Sequence, residues 1–213
     1  MRRTTLNSLR NSRTYASDFF KFLLRNRLVY GMFGLFLVGI IAGSLTVKYC
    51  NEPIAGELAT VLSGYISKRV GQTFLTAFLS SFTVNFLILF LLFFLGFCAI
   101  GMPFIMFVST AKGFSLGVSI GYLYGASGTT GIWYAVENLV PVSLIASFAI
   151  ILACASSYKL SGIYFSLFAN KNESSISIAA EAYLTRYIVY TVLIFIAALV
   201  DGLCCSLFGG ISP

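Results

Sequence analysis

Long apolar runs separated by short polar interruptions set the pattern of this chain. Residues 28–47 carry no charge, and 70–111 form forty-two consecutive uncharged residues. A helix rises about 1.5 Å per residue, so about 20 apolar residues cross a hydrocarbon core of about 30 Å. The first run is one span. The second is too long for one span and too short for two with a generous loop. Gly96, Gly101 and Pro103 punctuate it, which predicts a span, a tight turn and a further span.

Two more apolar segments follow. One covers about 132–158 and is interrupted by Glu137, Asn138 and Pro141; the other covers about 187–208 and contains Asp201. The predicted spans are therefore about 28–47, 78–99, 103–125, 132–158 and 187–208, within one transmembrane domain over 28–213. The fold class is an all-α polytopic integral membrane protein with about five transmembrane helices. Between the spans, 48–70 reads as an exterior segment with a short amphipathic helix over 56–68. The glycine-rich stretch Gly125–Gly131 reads as a loop, and 159–186, with five charged residues, reads as cytoplasmic.

Composition agrees with the pattern. Apolar residues make up 58 % of the chain and charged residues 10 %, against about 45–50 % and about 25 % in soluble domains. Too few charges remain to coat a water-facing surface. The absence of His excludes imidazole catalysis, Ser-His-Asp triads and histidine-based metal sites. The five cysteines (Cys50, Cys98, Cys154, Cys204, Cys205) form no C-x-x-C pair, and no phosphate-binding glycine loop is present. No catalytic, cofactor or metal site is expected, and the adjacent Cys204 and Cys205 read as packing residues.

Charge is concentrated at the start. Arg2, Arg3, Arg10, Arg13, Lys21, Arg25 and Arg27 precede the first span, against the single acid Asp18. Basic residues flanking a span stay on the cytoplasmic side and attract anionic lipid headgroups. Residues 1–27 are thus a cytoplasmic basic arm, its second half amphipathic enough to lie along the membrane surface. The arm is far longer than the basic region of a cleaved signal peptide, so the first span reads as an anchor. Its basic residues are not interleaved with aromatics and no nucleic-acid-binding fold follows, so no nucleic-acid partner is expected.

Two features stand out inside the spans. Gly113, Gly117, Gly121 and Gly125 recur every four residues, with Ser109 one step earlier, which makes a groove into which another helix backbone fits. Packing within the chain is the plain reading; dimerisation or a partner protein is the sharper one. In the first span, Gly31, Gly39 and Gly43 are read on one face. The second feature is an intramembrane charge cluster, Lys112, Glu137 and Asp201. Each costs a few kcal/mol at mid-bilayer unless paired or solvated. A Lys112–Glu137 or Lys112–Asp201 pair would clamp three spans together; a proton relay or substrate path is the functional alternative.

The central motifs resemble those of the stage II sporulation protein M family. They are Phe82-Thr83-Val84-Asn85-Phe86, then Gly101-Met102-Pro103, then Lys112-Gly113-Phe114 with Gly117 and Gly121, and finally Leu139-Val140-Pro141. The resemblance covers about 75–155. It implies a mother-cell membrane protein needed for septal thinning and engulfment, working with the peptidoglycan-degrading stage II sporulation proteins D and P. The family has no agreed catalytic residues to carry over, and the acid some relatives place after the conserved Pro is missing after Pro141.

Two functions follow as expectations. The first is a non-enzymatic scaffold that recruits partners through intramembrane grooves and an exterior segment over 48–77, with homo-oligomerisation open. The second is a transporter or transporter subunit using Lys112, Glu137 and Asp201.

Overall fold

A computed structural model describes residues 27–49, 60, 64, 72–134, 140–169 and 176–208. Five long helices account for nearly all of them: α1 Arg27–Tyr49, α2 Phe74–Phe97, α3 Gly101–Tyr134, α4 Val140–Ala169 and α5 Ile176–Phe208. Each contains a stretch long and apolar enough to cross a membrane, and the protein is a multi-pass membrane protein. The basic arm over 1–26, most of 48–71 with its expected surface helix, and Glu137 lie outside the described residues. Thr60 and Gly64 are helical.

The tight turn between the second and third spans occupies Cys98–Ile100. The Cys98 amide donates to the Leu95 carbonyl at 3.2 Å and the Gly101 amide to the Cys98 carbonyl at 3.0 Å. Pro103 then sits in the first turn of α3, where a missing N–H costs no helical hydrogen bond.

Element boundaries differ from the sequence reading in three places. Helix α3 continues through Gly125–Gly131 to Tyr134 instead of ending in a loop. Glycine in a helix costs about 1 kcal/mol relative to alanine, but without a proline nothing removes a backbone bond there. Helix α4 starts at Val140 rather than near 132, with Pro141 in its first turn. Most of 159–186 is helix as well, divided between α4 and α5, whose membrane-spanning stretches are Ser143–Ser166 and Ala180–Ser206. Lys159 and Arg186 therefore lie within spans but towards their ends, where long basic side chains reach the headgroups along their own alkyl stems.

Helix α4 is the centre of the bundle, with 67 % of its span buried against 17–39 % for the other four. Its sequence explains this. Ala146, Ala149, Ala153, Cys154, Ala155, Ser156, Ser157 and Ser161 are all buried, and such small side chains let four neighbouring backbones approach. Helices α1 and α3 form one closely packed pair beside it, and α2 and α5 pack together on its other flank. Along α2, Phe74, Phe78, Phe82, Phe86 and Phe90 stack at four-residue intervals, and Phe195 of α5 packs edge-on against Phe78 and Phe82 at 5.5 and 6.1 Å. Phe86, Phe90 and Phe94 remain exposed, a face suited to lipid acyl chains.

Candidate functional site

The glycine groove of α3 is filled by α1. A Cβ built on Gly113 would fall on the Phe36 carbonyl, and one on Gly117 would lie within 2.9 Å of the Ile40 Cα. The fit is reciprocal. A Cβ on Gly39 would meet the Thr110 carbonyl and the Phe114 amide, and one on Gly43 the Phe114 carbonyl and the Val118 amide. One turn earlier, the buried Ser109 Oγ donates to the Met32 carbonyl at 3.0 Å across 77 residues. The pairs Phe36–Gly113, Ile40–Gly117 and Ser44–Gly121 keep that offset, so the two helices run parallel. The groove opens towards its far end: Gly121 faces Ser44 and Val47 at 3.3–3.5 Å, and among the described residues Gly125 has nothing within 4 Å. Among the described residues nothing lies within 4 Å of Gly31 either, so the α1 face packed on α3 holds Gly39 and Gly43 without it.

Lys112 lies at the centre of the α3 span Gly101–Gly125. Its Nζ donates to Asn85 Oδ1 of α2 at 3.0 Å, and the Asn85 amide nitrogen donates in turn to the Ser81 carbonyl at 2.9 Å. Asn85 is buried, and its burial is made possible by these two bonds.

Asp201 is placed elsewhere. It is buried on α5, and its neighbour Gly202 packs against Phe74 at the start of α2. Phe74 precedes Asn85 by eleven residues, which is about 16 Å along the helix. The fold therefore joins Lys112 to Asn85 and holds Asp201 at another depth, while Glu137 falls outside the described residues.

A second polar group went unread in the sequence. Ser157 Oγ is 2.6 Å from Tyr187 OH and 3.2 Å from Tyr183 OH, while Ser156 Oγ is 2.7 Å from Tyr190 OH. Tyr183 OH also donates towards the Phe93 carbonyl at 3.1 Å, over the bare backbone of Gly96, and Ser161 Oγ donates to the Cys98 carbonyl at 2.7 Å. These hydroxyls tie α4 and α5 to the end of α2 and to its turn. The available signal was periodic: Tyr183, Tyr187 and Tyr190 fall on one helical face, opposite the serine pair.

Among the described residues no cluster of three or more His, Cys, Asp or Glu side chains could hold a metal ion. Cys98, Cys154, Cys204 and Cys205 form no disulfide, and Cys205 is buried with its thiol 3.9 Å from the Gln72 carbonyl.

The family model described as stage II sporulation protein M matches residues 32–205, well over half of the chain. The chain belongs to that family. No curated protein and no solved structure matches it. Membership identifies a sporulation-related membrane protein from a family not known as one of enzymes. The match takes in most of α1 and most of α5, beyond the central 75–155 on which the motifs lie, and so includes both partners of the glycine-packed pair.

Proposed function

We propose that this protein is a non-enzymatic membrane scaffold of the engulfment machinery. It recruits or anchors peptidoglycan-degrading partners, the stage II sporulation proteins D and P, for septal thinning and membrane migration. The observation that carries this reading is the family match over 32–205. The fold supports it in one respect. With α1 filling the α3 groove, the broad exposed faces of α2 and α3 are left for lipid or for the spans of other proteins.

Affinity purification from gently solubilised membranes of sporulating cells is expected to recover wall-degrading enzymes. Recovery of an ATPase or a solute-binding protein, with no wall enzyme, would replace the scaffold by the transporter reading.

The proposed orientation places the basic arm in the cytoplasm of the mother cell, in the engulfing membrane. Cys98 is exposed in the α2–α3 turn, two passes after α1 begins and hence on the side of Arg27. In a variant whose other four cysteines are alanine, a membrane-impermeant maleimide is expected to label Cys98 in inverted vesicles and not in intact protoplasts. The reverse pattern overturns the orientation.

A further inference from the structure

We propose that Lys112 is the docking point for a carboxylate carried at mid-span by a transmembrane helix of another protein. This deepens the scaffold reading, on which it rests, by naming the chemistry that a recruited partner presents.

Lys112 sits eleven residues from one end of the α3 span and thirteen from the other. Its hydrogen-bond partner there, Asn85, is a neutral amide. An amide dipole solvates an ammonium without cancelling its charge, and among the described residues it takes one of the three ammonium donors. Among the described residues no carboxylate reaches it. A cation at this depth costs a few kcal/mol, a cost that falls when an opposite charge joins it.

The surroundings admit a helix. Lys112 keeps part of its surface accessible, Ala111 and Ser115 beside it are exposed, and Ser119 one turn further on is partly exposed. Ala111, Ser115 and Ser119 are spaced by four residues, so a second backbone can approach closely along them. Ser119 Oγ donates to the Ser115 carbonyl at 3.0 Å, so its own hydroxyl is satisfied within the strip. This strip is not the glycine groove. Ala111 and Gly113 differ by two residues, about 200° around the helix, so α1 covers one side and leaves the other open.

Depth selects the kind of partner. A lipid phosphate stays at the headgroups, about 15 Å from the midplane, and a dissolved anion would have to cross hydrocarbon. A side-chain carboxylate on a membrane-spanning helix arrives at the level of Lys112 by construction.

The test uses the full chain in phosphatidylcholine vesicles with fluorescently labelled leucine-alanine transmembrane peptides. These carry Glu, Gln or Leu at the central position, and association is read by energy transfer. The Glu peptide is expected to bind about tenfold more tightly than the other two. Lys112→Met should erase that preference, Lys112→Arg should retain it, and Lys112→Glu should transfer it to a peptide with central Lys. Equal binding of all three peptides by the unaltered chain overturns the proposal, as does a Glu preference that survives in Lys112→Met. The comparison among peptides needs no variant to fold. Failure here leaves the scaffold reading to the co-purification result. Retained Glu preference with no wall enzyme recovered overturns the scaffold reading and keeps the site.

Discussion

Gly117→Leu is expected to prevent α1 and α3 from packing and so to unfold the amino-terminal half of the bundle. The Cβ alone would overlap the Ile40 backbone, and backbone cannot rotate away as a side chain can. Overpacked cores lose about 1–3 kcal/mol; with a parallel helix pair forced apart along its whole length, a loss of about 3 kcal/mol or more is expected. Gly113→Leu should match it, because its Cβ falls on the Phe36 carbonyl. Gly125→Leu should change little, since no described residue lies within 4 Å of that site, and Gly121→Ala should be mild against Ser44 and Val47. Thermal midpoints of the purified variants in detergent, with membrane accumulation in cells, check the order. If Gly125→Leu were as damaging as Gly117→Leu, interlock with α1 would not be what these glycines provide.

The second large effect concerns the Lys112–Asn85 bond. Asn85→Leu removes the acceptor at mid-span and leaves the ammonium in hydrocarbon without its hydrogen bond. Bonds to charged groups contribute about 1.5–3 kcal/mol, so a loss of about 2 kcal/mol is expected. Replacing both residues should recover most of it, because Asn85→Leu with Lys112→Met leaves neither a charge nor an empty acceptor. Lys112→Met alone should be milder, since the Asn85 amide keeps its bond to the Ser81 carbonyl. A double-mutant cycle measures this coupling. Strict additivity of the two changes would show that the bond contributes nothing to the folded bundle.

How far the sequence was legible depends on the range of the physics involved. The turn at Cys98–Ile100 was readable because its determinants are local: a glycine, a proline and an abrupt change in what the chain can continue as. The loop expected at Gly125–Gly131 was misread on equally local grounds, since glycines weaken a helix without ending one. The span boundaries expected at 158 and 187 also differ, for a related reason. Charges in the sequence mark the expected end of each span, but α4 and α5 remain helical well into 159–186, and Lys159 and Arg186 fall inside their apolar stretches.

The candidate site divides in the same way. The four-residue glycine spacing announced a groove, yet nothing near it in the chain said that the backbone at Phe36 and Ile40 would fill it from 77 residues away. Lys112 was conspicuous as a charge among apolar residues, and the acids were the natural partners to suggest. The neutral Asn85 carries no charge to mark it among the apolar residues of its span.

The sequence by itself determined the number of spans, the helical class and the family, because crossing a bilayer depends on counting uncharged residues along one segment. Only the tertiary structure decided which helix faces meet. That choice fixed the α1–α3 interlock, the Lys112–Asn85 bond, the depth of Asp201 and the Ser156–Ser157 contacts with three tyrosines. Each depends on register and rotation between helices far apart in the chain, set by the joint packing of all five around the small residues of α4.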